Sequence, residues 1–130
     1  MKEILCRGKC LNDEDWVEGF YVYLFDGKGH ESHRIYTGYA ETDCGDFYPD
    51  FYEVHPETVG RFTGQYDKNQ KRIFEGHVVE RKWDWLDSPD RYVIEYDEEE
   101  CRFLGTAIGR KGFVSFDGDG NRFEIVNDSL

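Results

Sequence analysis

The sequence predicts a mainly β protein, and two features of its composition favour that fold class. Aromatic residues make up 17% of the 130 residues, and 14 glycines accompany them. Tyr, Phe and Trp pack well on pleated, half-buried surfaces, while glycine supplies the positive φ angles of tight turns. The chain also has no long amphipathic helical pattern. Its length suits one domain, or two small lobes that share a core and form one compact unit.

The first half, residues 1–59, predicts a β meander. Strands are expected at residues 4–11, 16–25, 33–40 and 51–54. The strand at 16–25 is apolar on both faces, because Trp16 and Phe20 lie on one face and Tyr21 and Phe25 on the other. Such a strand is either central and covered on both sides, or it has one face in an interface.

Three turn signals divide this meander. An Asp-Gly pair and a second glycine within residues 26–29 predict a hairpin, since glycine provides the positive φ angles that tight turns need. Residues 41–49 contain Gly45 and Pro49 and lack a sustained period, so we expect a loop there. Pro56 begins a predicted turn or single helical turn, and the lobe boundary follows between residues 59 and 60.

The second half, residues 60–130, predicts a small barrel or sandwich. Short strands are expected at residues 61–63, 72–75, 78–83, 92–96, 101–107, 112–116 and 122–126. Turn signals separate them roughly every 8 to 12 residues, a spacing typical of all-β folds. We interpret residues 117–121 as a hairpin turn. Their oxygen-bearing side chains also resemble a calcium loop, but Arg122 stands where an EF-hand loop has glycine.

The charge of the chain disfavours some partners and favours others. There are 28 acidic and 16 basic residues, which gives a formal net charge of -12. A field of this sign repels phosphate, so bulk nucleic-acid binding is disfavoured. The charge either keeps an aromatic-rich protein soluble or forms an acidic face that docks on a basic protein. No apolar run of roughly 18 residues and no signal-peptide core occur, so we expect a cytoplasmic protein without membrane association.

No arrangement of residues in the sequence predicts catalysis. The histidines lack the spacing of local metal sites; they are His30, His33, His55 and His77. The cysteines fit no common zinc pattern and are expected to be reduced thiols; they are Cys6, Cys10, Cys44 and Cys101. Neither a nucleophile elbow nor a phosphate-binding glycine loop is present. We therefore predict no enzyme activity, no metal and no cofactor.

One cluster of basic and aromatic residues interrupts the acidic background. It comprises Lys68, Lys71, Arg72, Arg81, Lys82, Trp83 and Trp85. On a strand, Arg81, Trp83 and Trp85 would share one face, with Lys82 on the other. Such a cluster can stack bases beside phosphates, and an exposed tryptophan can equally anchor a protein partner. The alternative is that Trp83 packs in the core while Arg81 and Lys82 pair with local acids.

Four segments carry a resemblance to a known family. The central one, TGQYDKNQKRIFEGHVVE at residues 63–80, is similar to the pattern TG-x-x-DKNG-x-x-I-[YF]-EGD-x-V. RGK at residues 7–9, WVEGFY at 16–21 and YEVHPETVG at 52–60 extend the similarity. Together they resemble the YopX family, small proteins carried by temperate phages and prophages of Gram-positive bacteria. The resemblance implies an SH3-like barrel at residues 60–130, and the biochemical activity of that family is uncharacterised.

The chain departs from the family pattern at two positions and at its end. Gln70 stands where the pattern has glycine, and His77 stands where it has aspartate. If Gln70 has a positive φ angle, it stores strain of roughly 1 kcal/mol. His77 can replace a capping carboxylate as a weaker hydrogen-bonding group, and it would keep only part of the role of a general base or metal ligand. We favour the structural role. The tail, residues 127–130, is shorter than the family's usual one.

Three functions are consistent with these features. We expect first a non-enzymatic, phage-derived accessory protein that acts through an acidic, aromatic surface on a host or phage protein. Nucleic-acid binding through residues 68–85 is the second hypothesis, and an enzyme of unknown type is the third. Self-association into a homo-oligomer is compatible with each, since the strand at 16–25 has two apolar faces and open sheet edges can pair.

Overall fold

The structure, a computed structural model, describes residues 5–116 and 118–130. Strands account for 55% of the described residues and helices for 5%. The strands form two antiparallel sheets, so the mainly β prediction is confirmed. The chain divides into two compact units, Met1–Arg61 and Phe62–Leu130, which are called unit 1 and unit 2 below. No helix in the described ranges has the length and apolar composition needed to cross a membrane.

Unit 1 is an antiparallel meander. Its strands are β1 (Cys6–Lys9), β2 (Trp16–Phe25), β3 (Glu31–Glu41), β4 (Phe47–Glu53) and the beginning of β5 (Gly60–Tyr66). They lie in the order β4-β3-β2-β1-β5. The predicted bounds of β2 are confirmed, and Pro56–Thr58 forms the expected single helical turn, of the 3-10 type. Residue 4, where the first strand was expected to begin, lies outside the described residues.

The hairpin between β2 and β3 is confirmed. Gly27 and Gly29 have φ angles of 77° and 91°, which residues with a Cβ adopt only with strain. The Asp26 carboxylate accepts hydrogen bonds from the backbone N–H groups of Lys28 and His30, at 2.7 and 3.2 Å. Side-chain bonding and glycine freedom therefore act together to fix this turn.

The predicted loop at residues 41–49 is wrong. β3 extends to Glu41 and β4 begins at Phe47, so only a turn at residues 42–46 connects them. Pro49 is accommodated because β4 is an edge strand, where a missing N–H need not interrupt a ladder. Phe47 is a good strand former and lies opposite Glu41 in the register. Proline therefore signalled an edge strand here, and not a loop.

Unit 1 has a small core that depends on close backbone approach. Cys6, Ile35 and Val54 are buried together. A Cβ atom at Gly19 would lie 2.2 Å from the carbonyl oxygen of Tyr36, so only glycine fits between β2 and β3 at that point. Partly buried side chains of Val17, Tyr21 and Val59 pack against this small core.

β2 is a central strand, yet its second half is exposed. Phe20, Leu24 and Phe25 all have exposed side chains. The predicted coverage of both faces is therefore not found among the described residues of unit 1. The alternative, that one face of β2 lies in an interface, stays a prediction.

Unit 2 contains the rest of β5 and six further strands. These are β6 (Arg72–Phe74), β7 (Val78–Arg81), β8 (Asp90–Asp97), β9 (Arg102–Ala107), β10 (Phe113–Ser115) and β11 (Glu124–Asn127). β5 and β6 pair as an antiparallel hairpin, and the other five form a sheet in the order β10-β9-β8-β7-β11. A 3-10 turn, Gly120–Arg122, precedes β11.

The five-stranded sheet is open in the described part of unit 2, so the SH3-like barrel is not confirmed. β10 and β11 are its two edges and pair with β9 and β7. The predicted hairpin between residues 114–116 and 123–125 is wrong for the same reason. The Gln65 side chain accepts the N–H of Gly120 at 2.7 Å and donates to the carbonyl of Phe116 at 2.8 Å. These bonds tie the segment after β10 to β5.

Unit 2 has a larger and more aromatic core than unit 1. Its buried members are Ile73, Val79, Tyr92, Ile94, Phe116 and Phe123. The Phe123 ring meets Phe116 edge-on at 5.4 Å between centroids and Tyr92 at 6.2 Å. Edge-to-face contacts of this kind add to the stability gained from burial alone.

Asp67 is a buried carboxylate that organises the turn after β5. Its Oδ1 accepts the N–H groups of Asn69 and Lys71, both at 2.9 Å. Its Oδ2 accepts the N–H of Ile125 in β11 at 3.1 Å. Gln70, inside this turn, has a φ angle of 66°, so the predicted positive φ is confirmed. One side chain thus fixes the turn and attaches it to the sheet.

His77 is a structural cap in this fold. It is buried, and its Nδ1 accepts the backbone N–H of Phe74 at 2.9 Å. The Nε2 atom lies 3.8 Å from a carboxylate oxygen of Asp128. The ring therefore performs the turn-capping task that was expected of a residue at this position.

Candidate binding surface

The two tryptophans of the predicted cluster lie in a loop and not on a strand. β7 ends at Arg81, where it pairs with Asp90, and residues 82–89 connect β7 to β8. The prediction that the strand continues to residue 83 is therefore wrong. The backbone N–H of Leu86 donates to the carbonyl of Trp83 at 3.1 Å, which closes a turn around the intervening residues. This turn brings the two indole rings together.

Arg81, Trp83 and Trp85 form a stack. The Arg81 guanidinium carbon lies 3.7 Å from the centre of the Trp83 ring. The Trp83 and Trp85 rings stack at 5.0 Å between centroids, with 27° between their planes. Arg81 also donates to the Asp119 carboxylate at 3.1 Å, which holds the guanidinium in place. The predicted juxtaposition of these three cluster residues is thus observed, although it arises from a turn.

A hydrogen-bond network supports the stack from β8. The Trp83 indole N–H donates to the Tyr92 hydroxyl oxygen at 3.0 Å, and the Tyr92 O–H donates to Asp90 Oδ2 at 3.3 Å. Arg110 Nη2 donates to the same Asp90 oxygen at 2.8 Å and to the Tyr92 hydroxyl at 3.1 Å. These bonds fix the orientation of Trp83 and leave Trp85 as the outer member of the stack.

An open cleft of about 470 Å³ lies beside this stack and is called the tryptophan cleft below. Its lining residues are Trp83, Trp85, Leu86, Asp90, Tyr92, Arg110 and Val114. The Trp85 side chain is 74% exposed. A large indole held against a supported partner ring, and open to solvent, is a ready contact surface for a ligand.

The cleft lining does not include the remaining cluster residues. Lys68 forms an ion pair with Glu124 at 3.0 Å, and the nearby ammonium holds the pKa of that carboxyl below its ordinary value. Lys71 and Arg72 are exposed at the start of β6, and Lys82 is exposed just after β7. The contacts described above join only Arg81, Trp83 and Trp85 to the cleft.

Sequence reasoning missed five of the seven lining residues, and three of these five form the hydrogen-bond network. The sequence predicts only turns and a strand at Asp90, Tyr92 and Arg110. Their partners lie up to 20 residues away in the chain, as between Arg110 and Asp90. A pairing of residue 81 with residue 90 across the predicted turn would have placed Asp90 and Tyr92 near the tryptophans. Arg110, in the loop between β9 and β10, has no comparable local signal.

The residues considered for metal binding have other contacts. In the part of the chain that the structure describes, no group of three His, Cys, Asp or Glu side chains could hold a metal ion. Asp117, in the predicted calcium loop, lies outside the described residues. His30 contacts Asp26 at 2.7 Å, His33 lies 2.5 Å from the Tyr21 hydroxyl, and His55 contacts Glu14 at 3.1 Å. No disulfide joins any of the cysteines among the described residues.

Unit 1 has an exposed aromatic surface of its own. Tyr36 and Phe51 lie opposite each other on β3 and β4, with ring centroids 5.3 Å apart. The Arg34 guanidinium lies 4.2 Å from the centre of the Phe51 ring. Phe47 and Tyr39, farther along the same two strands, are 71% and 78% exposed. This surface is broad, and its side chains lie on two neighbouring strands.

The fold and the cleft define a small, mainly β protein with a partly exposed tryptophan stack. The particular family follows from comparison with known proteins. The family model described as YopX protein matches residues 7–126, so the chain belongs to the YopX family. No curated protein matches the chain at a significant level.

Proposed function

We propose that this chain is a non-enzymatic protein-interaction module that contacts its partner through the tryptophan cleft. The observation that carries the proposal is the position of Trp85, 74% exposed and stacked on a tryptophan that hydrogen bonds hold from behind. A partner that covers this indole gains apolar burial at little entropic cost, because the platform is already ordered.

The charges around the stack favour a protein partner over a nucleic acid. Arg81 is paired with Asp119, and Arg110 is paired with Asp90. Each cation is therefore partly neutralised before a ligand arrives, and the whole chain carries a net charge of -12. Nucleic-acid affinity depends on cations that are available to phosphates, so this arrangement weakens it.

The same pairs favour binding over catalysis. The acidic and basic groups of the cleft are directed at one another, as in the shared bonds of Asp90 with Tyr92 and Arg110. A general acid or base must instead reach a substrate proton within hydrogen-bond distance. The groups of this cleft are arranged to hold an aromatic surface in place.

The wider setting belongs to the same proposal. We take the chain to be a phage- or prophage-derived accessory protein that acts in the cytoplasm of its bacterial host, on a host or phage protein. The SH3-like barrel remains our proposal for the arrangement of residues 60–130. Its support is the family resemblance and the run of short antiparallel strands in unit 2.

A pull-down from bacterial lysate with a nuclease-treated arm tests the function. Immobilised wild-type protein should retain a saturable protein partner after nuclease treatment, and the Trp85→Leu variant should lose it. Leu keeps the position apolar but removes the indole, and the exposed site should tolerate it without loss of fold. Failure of the wild-type protein to retain any saturable partner would count against the proposal.

Nucleic-acid binding is the second candidate, favoured by the stacked indoles beside the exposed Lys82. Indole faces stack on bases without regard to sequence, and a nearby ammonium can hold a phosphate. Retention that disappears on nuclease treatment would move the assignment to this candidate. Replacement of Arg81 and Lys82 should then weaken retention.

A further inference from the structure

Unit 2 already contains one arginine bound by a tryptophan and a carboxylate. The Arg81 guanidinium lies 3.7 Å from the Trp83 ring centre and 3.1 Å from the Asp119 carboxylate. A guanidinium is planar and weakly hydrated, so it can stack on an indole while its edge donates to a carboxylate. This internal pair shows the geometry in which the fold holds an arginine side chain.

The tryptophan cleft offers the same two groups to an outside ligand. Trp85, at the end of the stack, exposes most of its indole. Asp90 uses its Oδ2 to accept from Tyr92 and Arg110, and its Oδ1 accepts no hydrogen bond from the described residues. The Asp90 side chain is 26% accessible and lines the cleft.

The charge of the connecting loop favours a cationic ligand. Asp84 and Asp87 lie in the loop between β7 and β8 and are exposed, and neither forms an ion pair with a described residue. With Asp90 at its end, the loop carries three carboxylates, and Lys82 is its one cation. A basic ligand would gain from this local excess as well as from the net charge of -12.

We propose that the tryptophan cleft binds an arginine side chain of the partner protein. The guanidinium stacks on Trp85 and donates to Asp90 Oδ1, while the aliphatic part of the side chain packs on Leu86 and Val114. Lysine fits less well, because its compact ammonium is strongly hydrated and cannot stack. The proposal rests on the proposed function, since it specifies which group of the partner protein enters the cleft.

The charge of Arg110 distinguishes a cationic ligand from an anionic one. Its guanidinium partly neutralises Asp90 and repels a second cation in the cleft. Arg110→Gln keeps a polar amide at this position but removes the charge. The variant should therefore bind an arginine probe more tightly, by about threefold for one partly screened charge. A ligand recognised through an anionic group would instead lose affinity in the same variant.

The test uses nitrogen-15 NMR of the full chain with N-acetyl-arginine amide as the probe. The indole N–H signals of Trp16, Trp83 and Trp85 separate the cleft from a tryptophan of unit 1. We expect a saturable shift of the Trp85 signal up to about 20 mM probe, which saturates a millimolar site, and no shift at Trp16. The neutral analogue N-acetyl-citrulline amide should bind about tenfold more weakly.

Matched variants assign the carboxylate. Asp90→Asn should weaken binding of the arginine probe about fivefold, because it removes a charge-assisted hydrogen bond. Asp87→Asn makes the same change of charge in the same loop, outside the cleft lining, and should weaken binding less than about twofold through the screened field alone. A dispersed spectrum for each variant shows that the fold is retained.

Several outcomes would overturn the proposal. They are no saturable Trp85 shift, equal binding of the citrulline analogue, weaker binding by Arg110→Gln, or equal effects of Asp90→Asn and Asp87→Asn. If these occur while Trp85→Leu still abolishes partner capture from lysate, the arginine assignment fails and the interaction function stands. If the arginine probe binds the cleft but no partner is captured, the interaction function fails by itself.

Discussion

Unit 2 buries Tyr92, Phe116 and Phe123 in one core, whereas unit 1 leaves Tyr39 and Phe47 exposed on long strands. Both units are rich in aromatic residues, so the difference lies in whether the rings are buried or exposed. In unit 2 most of the aromatic area stabilises the fold, and Trp85 is left as a supported, exposed ring. In unit 1 the buried core is smaller, and several rings of β3 and β4 remain on the surface.

The units also differ in charge. Unit 1 carries 13 acidic and 6 basic residues, and unit 2 carries 15 acidic and 10 basic residues. The basic residues of unit 2 include the arginines that brace the aromatic stack through Asp119 and Asp90. Ion pairs in unit 2 therefore help to order the cleft, whereas unit 1 has the larger excess of acidic residues.

The largest expected difference concerns buried and exposed phenylalanine. Phe123→Ala removes a fully buried ring and leaves a cavity, so the free energy of unfolding should fall by about 3 to 5 kcal/mol. The matched change in unit 1, Phe47→Ala, affects an exposed ring and should alter stability by at most about 0.5 kcal/mol. Urea denaturation followed by circular dichroism measures both. Similar losses for the two variants would show that burial does not distinguish the two rings.

Asp67 should show the next largest effect. Asp67→Ala leaves the N–H groups of Asn69, Lys71 and Ile125 without their acceptor, which should cost about 2 to 3 kcal/mol. Asp13 in unit 1 also accepts a turn N–H, from Asp15 at 3.0 Å, but it is exposed. Asp13→Ala should therefore cost about 0.5 kcal/mol. Thermal unfolding of the two variants decides whether burial creates the difference.

Replacement of Gln70 should increase the stability of the protein. Its φ angle of 66° strains any residue with a Cβ, so Gln70→Gly should raise the stability by about 0.5 to 1 kcal/mol. Glu14 in unit 1 has a φ angle of 60°, but it also contacts Lys9 and His55. Glu14→Gly should therefore gain less, since it loses those contacts. A lower melting temperature for Gln70→Gly would refute the strain at this turn.

The smallest effect concerns the ion pair of Lys68 with Glu124. The pKa of Glu124 is lowered chiefly by the hydrogen bond and charge of Lys68. A lowered carboxyl pKa stabilises the fold above the ordinary range of glutamate, and that contribution disappears as the pH falls through the lowered pKa. Lys68→Gln should shift the NMR titration of the Glu124 carboxyl upward. An unchanged titration would exclude Lys68 as the cause.

Local sequence signals predicted part of the fold well. The bounds of β2 and the glycine turn that follows it were predictable, because alternation and positive φ act over a few residues. Pro49 misled the prediction because proline is compatible with an edge strand, and the sequence does not show which strand is at the edge. The division of the strands between two sheets was also not predictable, because it depends on long-range pairing.

The candidate site was predictable only where its residues are close in sequence. Arg81, Trp83 and Trp85 are separated by single residues, so their clustering was visible even though their secondary structure was misassigned. Arg110 reaches the cleft from a loop between two later strands, and Asp67 bonds an N–H group 58 residues away. Such contacts follow from the folded sheet, and no pattern of periodicity indicates them.

Binding through the tryptophan cleft is tested by measuring the affinity of one captured partner for three proteins in the same assay. Wild-type protein, Trp85→Leu in unit 2 and Phe47→Leu in unit 1 are compared by calorimetry. We predict that Phe47→Leu binds as wild type does, and that Trp85→Leu loses at least about tenfold in affinity, as expected for a central aromatic anchor. Unchanged binding by Trp85→Leu, with loss by Phe47→Leu, would contradict binding through the tryptophan cleft and place the contact on unit 1.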